Sequence, residues 1–294
     1  MWLRRKRSSS PGSGRTRSRP TRRPTPSTRG CSRPFGMSCV AVDVAPPRTL
    51  GGLPALAGHL AHAFALVPPW SLSRSTRRRR DLERRFFART LRAVGVELEV
   101  VGAPVQGPGV MFLANHLSFT DVLALAPLLD ASFVAKADVR RWPGMGRLVE
   151  AFGTVFVDRD RPADAAAQVE AVAARLRGGG RVALFPEGTT SRGDGVLPFR
   201  TALLAAARHA RVVQPIALAY SDGARRAYVG EESLVANLAR LAPHRARLSI
   251  EFLPPLPDPR RSDRKHLAAE AREAIVRALS DRADAARPWS QQKA

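Results

Sequence analysis

From Gly95 onward the chain alternates short apolar runs with stretches of helical spacing, and no other feature limits its possible folds so strongly. Seven runs read as strands: Glu97–Val101, Val110–Leu113, Ser132–Ala135, Thr154–Val157, Val182–Phe185, Val212–Ala217 and Ala246–Phe252. Apolar spacing predicts helices at Asp121–Leu129, Met145–Ala151, Ala163–Leu176, Thr201–His209 and Arg264–Ala283. Strands that alternate with helices pair in parallel, because each helix carries the chain back across the sheet face. The expected fold class is therefore α/β, a mainly parallel sheet sandwiched by helices. With 294 residues, 44% of them hydrophobic, the chain suffices for one large domain or two small ones. No internal repeat is visible.

Three segments are expected: a disordered basic tail over 1–36, a helical, membrane-associated segment over 37–94, and the α/β domain over 95–285. The tail is rich in Arg, Ser, Pro and Gly, carries no acid, and has too few apolar residues for a core. It reads either as a basic arm or as an unstructured extension, with Met37 as the true start. In 53–67 an apolar stretch would place Leu53, Leu56, Leu60, Phe64 and Val67 on one helical face, but it is too interrupted to read as a spanning helix. After Pro68-Pro69-Trp70, where the tryptophan is an interfacial anchor or a loop aromatic, comes the run Arg77–Arg80. A helix over Asp81–Val94 then sets Leu82, Phe86, Phe87, Leu91 and Val94 against Arg84, Arg85, Arg89 and Arg92. That pattern suits a membrane interface, and equally a helix packed on the core with a solvated basic face.

The formal net charge of +23 points to an anionic partner: a membrane surface, nucleic acid or a phosphorylated ligand. Nucleic-acid binding rests on that charge alone, since no P-loop, zinc spacing or RNA-binding aromatic signature occurs. The two cysteines, Cys31 and Cys39, precede the expected folded domain and imply neither a disulfide framework nor a cysteine-based metal site. They fit a reducing cytosolic environment. No apolar core follows the basic N-terminus, so no secretory signal is expected.

Three clusters carry chemistry. In Asn115-His116-Leu117-Ser118-Phe119-Thr120-Asp121, a strand opens into a helix with a His and an Asp five residues apart. None of the other five histidines has an acid at that spacing. Asp121 can orient the imidazole of His116, and the imidazole can act as general base. The second cluster, Gly153–Arg159, delivers an Asp-Arg pair at the C-terminal end of a strand, where open α/β sheets bind ligands. Arg159 can grip a phosphate with both arms of its guanidinium, or simply pair with Asp158 or Asp160 at the surface. The third, Phe185-Pro186-Glu187-Gly188-Thr189-Thr190-Ser191, follows another strand with a glycine and several hydroxyls, which either approach a ligand closely or form a plain turn. A carboxylate there, Glu187, suits a hydroxyl ligand or the ordering of a neighbouring base. No Gly-x-Ser-x-Gly elbow is present and neither cysteine lies near the clusters, so a covalent acyl-enzyme has no evident nucleophile.

Taken together, these clusters resemble the phospholipid/glycerol acyltransferase family, in particular the 1-acylglycerol-3-phosphate acyltransferases. The HxxxxD motif is matched by His116 and Asp121, the second block by Gly153–Arg159, the Phe-Pro-Glu-Gly block by Phe185–Gly188, and a proline block by Val212–Ile216. Phe133–Lys136 also resembles the family's stretch between the first two blocks. The resemblance covers about residues 95–220. It implies that His116 deprotonates an acceptor hydroxyl held near it, that Asp121 fixes the tautomer, and that the freed oxygen attacks an acyl thioester directly. It further implies that Arg159, supported by Lys136, binds an acceptor phosphate, and that Glu187, Gly188 and Thr189 shape the acceptor site. No cofactor or metal is implied; the donor is acyl-CoA or acyl-carrier protein, and the partners are membrane lipid and that carrier rather than nucleic acid. The expected acceptor is 1-acylglycerol-3-phosphate, giving phosphatidate, at the cytoplasmic face of the cell membrane. One departure bears on the acceptor: Thr190 stands where many lysophosphatidate-using members have arginine, with Arg192 two positions on. Relatives acting on lyso-ornithine lipid, which lacks that phosphate, share the other blocks.

Overall fold

The computed structural model describes residues 39–40, 57–58, 61–62, 65, 67–141, 149–150, 153–157, 164–228, 234–241, 244–260 and 262–286. Arg159, most of the expected helix Met145–Ala151 and most of 53–67 lie outside the described residues. Eight strands form one sheet: β1 (Cys39–Val40), β2 (Val96–Val101), β3 (Val110–Ala114), β4 (Ser132–Lys136), β5 (Val155–Val157), β6 (Val182–Leu184), β7 (Val212–Tyr220) and β8 (Ala246–Phe252). Their order is β1-β2-β8-β7-β3-β6-β4-β5. Five of the seven pairings are parallel; β1 with β2 and β7 with β8 are antiparallel. The mainly parallel α/β fold expected from the sequence is thus the one formed.

Every residue of β3 is buried, as a strand covered on both faces must be. Val110, Phe112 and Ala114 face one core cluster, shared with Phe86, Phe87 and Leu91 of helix α2 (Thr76–Ala93) and with Leu123, Leu125 and Leu129 of α3 (Thr120–Leu129). Met111 and Leu113 face a second cluster with Val172 and Leu176 of α4 (Ala165–Arg177) and Leu267 and Ile275 of α6 (Arg264–Ala286). Two further helices among the described residues are α1 (Val67–Leu72) and α5 (Leu234–Leu241).

Four differences from expectation have physical causes. Strand β1 pairs Cys39 with Val101, so the sheet reaches into the segment before residue 95, and Cys39 belongs to it. Two residues carry no period from which a strand could be read. Pro68-Pro69-Trp70 lies in helix α1, which removes only the loop alternative for Trp70: both prolines sit in the first turn, where a missing N–H costs nothing. Helix α2 starts at Thr76, absorbing Arg77–Arg80, because Ser75 caps it, its Oγ accepting from the Arg78 N–H at 3.4 Å. The stretch Leu203–His209 is a 3₁₀ helix. Its buried positions are Leu204, Ala206 and Ala207, with Ala210 just beyond, and Leu204, Ala207 and Ala210 fall three apart, the 3₁₀ period.

The apolar side of helix α2 packs on the core. Phe86, Phe87, Leu91 and Val94 are buried in the core, each contributing on the order of 1.5–3 kcal/mol, while Arg84, Arg85 and Arg92 stay exposed. Gly95 ends the helix at φ +67°, and a side chain there would meet the His244 carbonyl oxygen at 2.5 Å. The fully buried Arg226 locks this corner. Its guanidinium donates to the carbonyls of Val94 (2.7 Å) and His244 (2.6 Å) and to Asp222 Oδ2 (2.9 Å). Among the described residues no helix is long and apolar enough to cross a membrane.

Candidate active site

Strands β7, β3 and β6 are neighbours, and the loops after β3 and β6 leave at their C-terminal ends, the usual ligand side of such a sheet. The loop after β3 carries His116, and α3 starts at once with Thr120 and Asp121. Asn115 fixes the end of β3: its amide accepts from Leu218 N–H (2.8 Å) and donates to Leu218 C=O (2.9 Å) on β7.

The expected pair meets. His116 Nδ1 lies 2.8 Å from Asp121 Oδ2, with the imidazole partly exposed (18%) and the carboxylate fully buried. Asp121 Oδ2 also accepts the backbone N–H groups of Leu117 (2.8 Å) and Ser118 (2.9 Å), and Oδ1 accepts the phenol of Tyr220 (2.7 Å). Four donors on one buried carboxylate define an acceptor-only group, so Nδ1 carries the proton and Nε2 has the free lone pair. A helix N-terminus adds favourable field for that negative charge. The imidazole ring stacks on Phe185 with centroids 4.0 Å apart.

Glu187 has the second of the roles open to it. Its Oε1 accepts the His116 backbone N–H (2.7 Å) and its Oε2 the Leu197 N–H (2.9 Å), so it holds His116 in place from the adjacent loop. Burial pushes its carboxyl above the ordinary value, and the two N–H bonds pull it back down. Ser191 N–H donates to the His116 carbonyl (2.7 Å), tying the same loops together. Gly188 adopts φ +75°, and a Cβ there would sit 2.8 Å from Cδ and Nε of Arg200, which lies across it. Thr189 is exposed beside them.

Lys136 ends β4, two strands from β3, and pairs with Asp138 at 2.8 Å on an exposed surface. Thr190 turns its hydroxyl onto the Tyr228 carbonyl. Tyr228 N–H in turn donates to the Leu117 carbonyl (3.0 Å), and its ring meets Phe119 edge-on. Both tyrosines of the chain therefore brace the His116–Asp121 segment. Sequence reading missed them because neither is near His116 along the chain. The available signal was Tyr220 at the end of an apolar run, a phenol that burial obliges to find a partner.

A cavity of about 390 Å³ opens between α2 and α3; Phe86, Phe87, Val122, Leu123, Ala126 and Phe133 give it an apolar wall, and Glu83, Asp130, Arg175 and Arg181 also line it. Phe133 stacks against Phe185, with centroids 6.2 Å apart, and so connects this apolar wall to the imidazole.

The family model described as Acyltransferase matches residues 97–219, a stretch that contains His116, Asp121 and Glu187. The chain is 36% identical over 207 residues to the lyso-ornithine lipid O-acyltransferase of Pseudomonas aeruginosa strain PAO1, covering 68% of this chain and 79% of that protein. The chain belongs to the acyltransferase family. A 1-acyl-sn-glycerol-3-phosphate acyltransferase of Neisseria gonorrhoeae is 39% identical over 134 residues, 45% of this chain and 52% of that one. Among solved structures, the 1-acyl-sn-glycerophosphate acyltransferase of Thermotoga maritima shares the fold, with TM-score 0.61 at 19% identity over 79% of this chain and 96% of that one. The acyltransferase fold here is thus an α/β sheet with its His-Asp pair at the strand ends, and the enzyme is an acyltransferase of lipid biosynthesis.

Proposed function

We propose that this acyltransferase moves a fatty acyl group from acyl-CoA or acyl-carrier protein to the hydroxyl of a lysolipid without a phosphate at the acceptor position, of the lyso-ornithine lipid class. Thr190 carries the choice of acceptor: its hydroxyl is engaged by the Tyr228 carbonyl, so the position where an arginine would meet phosphate offers no charge. The similarity to lyso-ornithine lipid acyltransferases over two thirds of the chain supports the same class. Lysophosphatidate, the acceptor first expected from the sequence, is the second reading, favoured by the Neisseria relative.

In the proposed reaction the Nε2 of His116 takes the acceptor hydroxyl proton as the oxygen attacks the thioester carbonyl. The tetrahedral adduct collapses, the C–S bond breaks, and the imidazolium returns the proton to the leaving thiolate. Asp121 holds the tautomer and stabilises the imidazolium, and Glu187 holds the loop. Gly188 and Thr189 border the acceptor, with Arg159 and Lys136 as candidate contacts for any anionic headgroup. The cavity between α2 and α3 is proposed to take the acyl chain. The exposed basic side of α2 is proposed to face anionic lipid at the cytoplasmic side of the membrane.

A lysolipid panel assayed with labelled acyl-CoA and acyl-carrier protein tests the acceptor class. Lyso-ornithine lipid should be acylated faster than lysophosphatidate, and Thr190→Arg should raise lysophosphatidate turnover relative to the parent. Preference of the parent enzyme for lysophosphatidate would reverse the order of the two readings.

A further inference from the structure

Tyr220 stands 104 residues beyond His116 in the numbering, at the last position of β7, and nothing in the HxxxxD motif calls for it. Paired with Leu248, it ends β7 three residues beyond Ala217, and this end of the strand brings the phenol to Asp121. The hydroxyl lies 2.7 Å from Asp121 Oδ1 and 2.6 Å from Thr120 Oγ1. A phenol has one proton, and the carboxylate can only accept it. Thr120 must therefore donate its own proton to the phenolic oxygen, which fixes the direction of both bonds. Thr120 and Asp121 are fully buried and Tyr220 nearly so, so neither bond competes with solvent.

We propose that Tyr220 is a positioning residue for acyl transfer: its phenol, oriented by Thr120, sets the Asp121 carboxylate against the His116 imidazole. This rests on the reading of His116 as general base. Asp121 Oδ2 already serves three N–H groups, and Oδ1 has Tyr220 as its partner among the described residues. With that donor present the carboxylate plane is held from both oxygens, and part of its charge is drawn away from the imidazole. Burial, with the Asp121 charge second, raises the phenol well above its ordinary value, so it remains a donor throughout any practical assay range. The other titratable or charged groups facing this chain are His116, Glu187 from the loop after β6, and Arg226 from the turn after β7. Tyr220→Phe changes none of them and keeps the ring that packs in the core.

The test is the pH profile of kcat/KM for the full chain, with lysolipid acceptor and acyl-CoA. Without the phenol, the less delocalised Asp121 charge favours the imidazolium. The acidic limb should move to higher pH by about one unit, the size expected for a lost hydrogen bond to a charged group. On the alkaline plateau kcat should fall about tenfold, as expected for the loss of roughly one such bond, with KM for the acyl donor unchanged. Thr120→Val should move the limb the same way by less, and Thr120→Ser, which keeps the hydroxyl, should return it to the parental position. A Tyr220→Phe limb that coincides with the parental one overturns the proposal. Should that variant not fold by thermal melting, the Thr120 pair decides, and a parental limb in Thr120→Val overturns it. His116→Ala separates the two readings: if it stays active the base assignment fails, whereas an inactive His116→Ala beside an unshifted Tyr220→Phe sinks only the role of Tyr220.

Discussion

At the scale of single residues, the site is a buried carboxylate with four donors and a half-open imidazole beside it. Removing the base in His116→Ala should lower kcat by about 10²- to 10⁴-fold while circular dichroism and the melting temperature stay near the parental values, since the ring is partly exposed. Asp121→Asn should be similarly damaging, because one amide oxygen cannot satisfy four donors and its NH₂ group would face N–H groups. Near-parental turnover by a folded His116→Ala would remove the base assignment. His116 and Asp121 were legible because both belong to one short segment whose geometry a strand-to-helix turn fixes. Glu187 was legible as a carboxylate that either meets a hydroxyl or orders the base, and only the fold could choose between these. Tyr220 and Tyr228 were not, since sheet order, not chain distance, brings them to the loop.

Elements tell a parallel story. All seven runs became strands; one buried on both faces is written as continuous apolar sequence, as in Val110–Ala114. The ends were less legible: the apolar sequence continues from Ala217 through Tyr220, and β7 runs that far because β8 still pairs with it. Helices α2 and α3 carry the functional consequence at this scale, for the cavity between them is apolar where Phe86, Phe87, Val122, Leu123 and Ala126 line it. Ala126 is the small residue in that wall, so Ala126→Phe should fill the space with an aromatic ring. The variant is expected to lose long-chain acyl donors while keeping turnover of short-chain ones, read as kcat/KM across a series of acyl-CoA lengths. Equal loss at every length would assign the cavity no part in holding the acyl chain.

For the molecule as a whole, the question is how a chain with net charge +23 meets its lipid substrate. The sequence left helix α2 with two uses for its aromatic side, and the fold spends that side on the core: Phe86, Phe87, Leu91 and Val94 are all buried. What α2 offers outward is charge, with Arg77–Arg80, Arg84, Arg85 and Arg92 exposed. Attraction of that face to anionic lipid is then electrostatic, on the order of 1 kcal/mol per basic residue, and screened within a Debye length of about 8 Å at physiological salt. Replacing Arg84, Arg85 and Arg92 with Gln should therefore weaken binding to anionic vesicles by about one to two orders of magnitude at low salt, and the difference from the parent should vanish at high salt. Activity on lysolipid embedded in those vesicles should fall in step, and activity on a soluble short-chain acceptor should persist, because these side chains lie on α2 and not on the catalytic loops. Parental binding by the triple variant at low salt would show that these arginines are only a solvated face. Binding that survives high salt in both proteins would instead assign the attachment to apolar contacts outside α2, with the stretch 53–67 the first segment to truncate.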